Sequence, residues 1–397
     1  MKKLLMATAA TALTAGTAYA QDAESVPLGI LLSFTGPIES LTPAMGSGAE
    51  MAISEVSENE NFLGGAAVTP VRGDATCVDA AAATAAAERM ITSEGVVGIM
   101  GADCSGVTTA VLANVAVPNG VAMISPAATS PALSSAEDNG LFFRTAPSDA
   151  RQGQVLASIL NEKGVGSVAV TYTNNDYGKG FADAFQAAFE EMGGEVTLSA
   201  AHEDGKADYS AEVGALASAG GDALVVLGYV DQGGAGVIQA ALDTGAFDTF
   251  AFGDGMIGDA LTAAFGSDLD GSIGTAPGSE NEGGAIFAEM ASEAGIDGTS
   301  VYAGESYDAA ALLLLAMAAT GSTDATEYSG AIMDIANAPG EPILPGQLGD
   351  ALQILADGGE IDYQGASGVE LVGSGEAAGS YAEYTIEDGA LSVVGYR

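Results

Sequence analysis

The stretch GVVGIMGADCSGVTTAVLANVAVPNGVAMIS, residues 95–125, decides the fold. It opens on a short apolar run (95–101), passes through a segment with helical spacing (106–117) and ends on a second apolar run (120–125). Short, unbroken apolar runs joined by a helical segment read as parallel strands in a sheet covered on both faces.

The alternation continues in both directions. Upstream, VPLGILLS (26–33) and AVTPVR (67–72) read as strands, with helices over 43–57 and 79–93. FFRTAPSD (142–149) leads into a second series, with strands over 167–173, 195–200, 223–228 and 249–253, each preceded by a helical segment. Two such series make two doubly wound α/β lobes with parallel sheets. The remainder, from 272, is Gly-rich with shorter strands, and is expected to complete both lobes by crossing back. The expected division is 1–20 as a signal peptide, 21–146 and 147–272 as the first parts of lobes one and two, 273–372 completing lobe one and 373–397 completing lobe two.

The first twenty residues carry Lys2 and Lys3, an uncharged stretch, and then Ala18-Tyr19-Ala20. That is the pattern of a cleaved export signal, with cleavage expected after Ala20. AALLLLAMAA (310–319) is too short to span a bilayer and reads as a buried helix. The mature chain is therefore expected to be exported and soluble, without membrane insertion. Its two cysteines, Cys77 and Cys104, suggest a disulfide in such a compartment; two buried thiols are the alternative.

The 53 acidic residues outnumber the 10 basic ones, for a net charge of −43, and removing Lys2 and Lys3 takes it to −45. That balance excludes nucleic acid and anionic membrane as electrostatic partners. The acids are spread along the chain, as on a solvated surface suited to a saline habitat.

Ligands of open parallel sheets sit beyond the carboxyl ends of the strands, so the loops there are the places to look. GDGMIG (253–258) matches a dinucleotide-binding pattern, but late in the chain and before a short helix; a tight turn presenting Asp254 to a cleft suits it better. His202, the only histidine, lies in a polar stretch and reads as a surface residue; no nucleophile–base pairing stands near it. No enzyme activity, cofactor or metal site is expected. What the loops offer is Ser105 ahead of a helix and the amides and hydroxyl around Ala127 and Thr129, donors for a carboxylate. Tyr177, Tyr229 and Asp254 come from the second lobe, and Asp254 can receive an ammonium group.

SFTGP, GADCSG, MISPAATSPAL, FFRTAPSDARQG, NNDYGKG and GDGM follow one another in the order and spacing of the leucine/isoleucine/valine-binding protein family, which the mature chain resembles over nearly its whole length. These are type I periplasmic solute-binding proteins of branched-chain amino acid ABC importers. The resemblance implies a Venus-flytrap fold with lobes joined by three crossovers, a Cys77–Cys104 disulfide, a periplasmic location and an inner-membrane permease as partner to a monomer. It implies that Ser105, Ala127 and Thr129 bind the ligand carboxylate, that Tyr177 and Tyr229 line the cleft, and that Asp254 takes the α-ammonium. Leu41 stands where an aromatic residue often meets the ligand side chain, and Asp103 where a neutral residue is common. The second departure points to an extra acid near the mouth, suited to a ligand with a second cation. The alternatives are an amino-acid or amide sensor on the same fold and a dinucleotide-dependent enzyme.

Overall fold

The computed structural model describes residues 25–397; the expected signal peptide and its cleavage site lie outside them. The first sheet takes strands β1 (Val26–Leu32), β2 (Val68–Asp74), β3 (Gly98–Gly101), β4 (Ala122–Ser125) and β5 (Phe142–Arg144). The second takes β6 (Ser167–Thr173), β7 (Glu195–His202), β8 (Ala223–Leu227), β9 (Phe250–Phe252) and β10 (Ile273–Pro277). Both quintets run parallel in the same spatial order, β2-β1-β3-β4-β5 and β7-β6-β8-β9-β10. Each therefore has a switch point beside its first strand, where a crevice opens at the strand ends.

The strand residues suit these positions. Ala223-Leu224-Val225-Val226-Leu227 is buried throughout because β8 lies between β6 and β9 with helices on both faces. In the first lobe the helix Ala303–Thr320 is buried from Ala309 to Met317. It packs on the helix Thr42–Val56 and on β3 and β4. Each leucine of its Leu312–Leu315 run contributes up to about 1.5–3 kcal/mol through burial.

Later strands finish both sheets. A separate pair, β11 (Glu341–Ile343) with β12 (Ile361–Tyr363), stands apart from them. The strands β13 (Leu371–Val372) and β14 (Glu376–Ala377) extend the first sheet beyond β5. The antiparallel β15 (Tyr381–Glu387) and β16 (Ala390–Tyr396) extend the second beyond β10. The chain thus passes between lobes three times, over 145–148, 278–281 and 378–380. The crossings touch one another. Gly278 N donates to Ser380 O at 3.1 Å, Ser380 Oγ to Gly278 O at 2.8 Å, and Tyr381 Oη to Ser148 O at 3.0 Å.

Several sequence expectations change here. The second crossing follows β10 and the third follows β14, so lobe two holds 273–277 and lobe one holds 373–377. The boundaries at 272 and 372 cut each sheet one strand short, because β10 and β14 are brief and carry little periodic signal. The helix expected over 106–117 is regular over Ser105–Val111 and then widens over Leu112–Ala116. His202 is buried, not on the surface. It ends β7, its Nδ1 lies 2.8 Å from Thr171 Oγ1, and its Nε2 has no partner.

Candidate functional site

Each lobe contributes strand-end loops to one crevice. In the first lobe β3 ends at Gly101, whose φ of 134° and 2.1 Å approach of a would-be Cβ to Leu31 O admit only glycine. The chain then turns through Asp103 and Cys104 into the helix that begins at Ser105. Cys104 is bonded to Cys77, in the loop after β2, with Cα atoms 5.1 Å apart. The bridge therefore ties the loop that carries Ser105 across the end of β1, which lies between β3 and β2.

After β4, Ser125 Oγ accepts from Ala128 N at 2.9 Å and shapes the turn that holds Ala127. Ser130 N donates to Ser105 Oγ at 3.1 Å, which leaves the Ser105 hydroxyl proton free to donate elsewhere. In the second lobe Asn175 caps the helix Asp176–Glu191 by accepting from Gly178 N at 3.0 Å, and so holds Tyr177 in the first turn. Tyr177 and Tyr229 stack with centroids 5.2 Å apart. GDGMIG forms a tight 3-10 turn over Asp254–Met256 before the short helix Asp259–Phe265. It presents Asp254, as the dinucleotide alternative does not require.

These loops enclose a cavity with about 290 Å³ of empty space, part of it open to solvent. Leu41, Ser105 and Ala127 line it from the first lobe, Tyr177, Tyr229 and Asp254 from the second. Thr129 is not on the lining. It is fully buried, its hydroxyl has no hydrogen-bond partner of good geometry, and it neighbours the carboxyl of Asp149. Asp103 reaches the cavity wall but is not a free acid at the mouth. Its carboxylate accepts from Ser33 N at 2.6 Å, Ser33 Oγ at 2.7 Å and Cys104 N at 2.9 Å. Burial raises its pKa and these bonds offset part of the rise.

Two residues were not legible as site residues. Tyr302, from the first lobe, donates to Asp254 Oδ2 at 2.5 Å, while Tyr177 donates to Oδ1 at 3.0 Å. Asp149 lies behind them, fully buried at the start of the helix Asp149–Glu162. Tyr302 belongs to no recognisable motif; the Ser148-Asp149 pair reads from sequence as a helix start and nothing more. Burial pushes Asp254 above the ordinary carboxylate range, against the two tyrosine hydrogen bonds. Burial, with the nearby Asp254 charge, pushes both phenols well up, so they stay donors.

The lobes are closed on each other around this cavity. Ser40 N donates to Asp231 Oδ2 at 2.8 Å, Asp231 N to Pro37 O at 3.1 Å, and Ser130 Oγ to Asp176 O at 3.1 Å. A buried acid with two phenol donors faces a serine hydroxyl and the turn that holds Ala127 across a narrow space. That arrangement suits holding a small polar solute; it contains no nucleophile activated by a base.

Residues 25–332 match the periplasmic binding protein family. Leu/Ile/Val-binding protein homolog 3 of Brucella melitensis is 30% identical over 282 residues, 69% of this chain and 73% of its own. The leucine-binding protein LivK of Thermotoga maritima shares the fold at a TM-score of 0.78 and 24% identity, covering 94% of this chain and 98% of its own. An ABC-transporter solute-binding protein of R. palustris in complex with 4-hydroxybenzoate does so at 0.72 and 19%, covering 94% and 97%. With its two parallel-sheet lobes, triple crossing and interlobe cavity, the chain belongs to the periplasmic binding protein family, alongside the Leu/Ile/Val-binding protein homologues.

Proposed function

We propose that the protein captures an amino acid, branched-chain or related, between its lobes and delivers it to an ABC importer in the inner membrane. The observation that carries this reading is Asp254, a buried acid that faces donors across the cavity. A buried carboxylate is costly without a cation, and a ligand ammonium supplies one. Ser105 Oγ and the amides near Ala127 take the ligand carboxylate, and Thr129 supports that turn from beneath. Charge-assisted bonds in a water-poor site are stronger than neutral ones. Leu41 borders the ligand side chain. Lobe closure buries the solute and presents both lobes together to the permease, a domain-closure transition. The chain acts as a monomer in the periplasm, after loss of its signal peptide, and performs no chemical step.

A solute such as 4-hydroxybenzoate carries a carboxylate but no cation, so Asp254 disfavours it. A thermal-shift screen of residues 21–397 against amino acids, amides, polyamines and small aromatic carboxylates tests the reading. Stabilisation by branched-chain or related amino acids is the expected result. Stabilisation by aromatic carboxylates alone would overturn it.

A further inference from the structure

Beneath the cavity, where the first crossing enters the second lobe, four buried polar atoms stand together without hydrogen-bond partners of good geometry. They are Asp149 Oδ1 and Oδ2, Thr129 Oγ1 and Gln152 Oε1; the Thr129 hydroxyl lies beside the Asp149 carboxyl and the Gln152 side chain beside that of Asp254, near enough to lower each acid's pKa. Asp149 N donates to Thr129 O at 2.9 Å, and Gln152 follows one helical turn after Ser148. Three of the four atoms are acceptors only, unless a proton is added.

The charges around the cluster do not balance. Asp149 and Asp254 are close enough that each feels the other's charge. The cation near them is Arg144, on β5, and it is already engaged. Its guanidinium donates to Ala128 O at 3.1 Å, Ser130 O at 2.9 Å and Ser134 Oγ at 2.7 Å, and forms an ion pair with Glu376. The other titratable groups that face the pair are the phenols of Tyr177, Tyr229, Tyr302 and Tyr381, all held neutral. Two carboxylates thus sit in buried surroundings near a single cation, Arg144, which is itself paired with Glu376.

Asp149 is wholly buried and does not line the cavity, so no group of a bound solute reaches it. A proton fits where a solute does not, and it turns one acceptor of the cluster into a donor. Like-charged carboxylates in one site do not both ionise readily.

We propose that Asp149 and Asp254 share one proton while no cationic solute is bound, and that a ligand ammonium arriving at Asp254 displaces that proton to solvent. The carboxyl O–H bond breaks, the proton passes to water or buffer, and the ammonium charge replaces it. Solute capture is then coupled to proton release, and affinity for an ammonium-bearing ligand rises with pH while the pair is protonated. The inference rests on Asp254 as the ammonium partner.

The test is titration calorimetry with L-leucine at pH 7 in two buffers of different ionisation enthalpy, on protein freed of bound solute by unfolding and refolding. Release of about one proton per leucine is expected, with affinity falling by up to about tenfold per pH unit on acidification. Leucine binding with heats independent of buffer overturns the proposal. If leucine does not bind, that is a failure of the ligand assignment, and the proton is sought directly. The ligand-free protein should then show an infrared carbonyl band of a protonated carboxyl at pH 7 that weakens in Asp149→Asn. Identical spectra overturn the proposal. Should Asp149→Asn not fold, the same band in the wild type must fade as pH rises, and a band set constant from pH 6 to pH 9, roughly the span over which raised carboxyls titrate, overturns it equally.

Discussion

The phenol of Tyr302, carried by the first lobe, donates to Asp254 Oδ2, carried by the second, at 2.5 Å. The same carboxylate takes its other phenol, Tyr177, from its own lobe. Tyr302 sits at a φ of 68°, immediately before the buried helix Ala303–Thr320, so its aim across the cleft is set by the backbone. Tyr302→Phe removes one hydrogen bond to a buried charge, a loss of ~1.5–3 kcal/mol. Amino-acid affinity is expected to fall roughly tenfold or more, read by titration calorimetry.

Asp254→Asn keeps the shape of the side chain and removes its charge. Losing one partner of a buried charge pair costs ~2–5 kcal/mol. Zwitterion binding is expected to weaken by over tenfold at pH 7, on the lower bound of that range. Unchanged affinity removes Asp254 from the site.

His202 makes stability depend on pH. Burial lowers its pKa from 6.5 to about 4, so the unfolded chain binds a proton between those values and the folded protein does not. Its contribution is fully present above pH 6.5 and is lost as pH falls toward 4, by at most ~3 kcal/mol. In urea melts across this range, His202→Asn should flatten the wild-type slope. Parallel slopes would falsify a buried neutral imidazole.

The disulfide closes a loop with a sequence separation of 27. In the chain-entropy model that is worth about 3.5 kcal/mol. Cys77→Ser with Cys104→Ser should lower the denaturation midpoint accordingly and weaken ligand binding as well, because the bridge restrains the loop that carries Ser105.

The acidic surface should make folding sensitive to salt. Self-repulsion in a chain with 53 acidic and 10 basic residues is screened by added ions. The melting temperature is expected to rise between low salt and ~0.5 M NaCl. A flat response would show that the charges are already well dispersed.

Four strands of each quintet were legible because unbroken apolar runs such as 167–173 can be buried only in a sheet covered on both faces. FFR at 142–144 was not read as a strand, since three residues carry no period. The short strands β10 and β14, which set the lobe boundaries, escaped likewise. Ser105, Ala127, Tyr177 and Asp254 were legible as strand-end residues, and the cavity lining contains all four. Tyr302 was not, because its role depends on a lobe-to-lobe distance that no local pattern encodes. His202 was misread because its polar neighbours, Glu203 and Asp204, suggested a loop, whereas β7 runs on to bury the ring against Thr171. Asp103 read as a free acid because sequence does not reveal that Ser33 and Cys104 occupy it.

The triple crossing also fixes an order of assembly. The first sheet begins at Val26 but gains its last strand only at Ala377, and the second begins at Ser167 but is closed by Tyr396. Neither half is made of continuous chain, so the first cannot finish before Ala377 is in place, nor the second before Tyr396. Contacts between segments so far apart in sequence slow folding. A newly made chain therefore stays incomplete, with open sheet edges, until residues 378–397 have emerged.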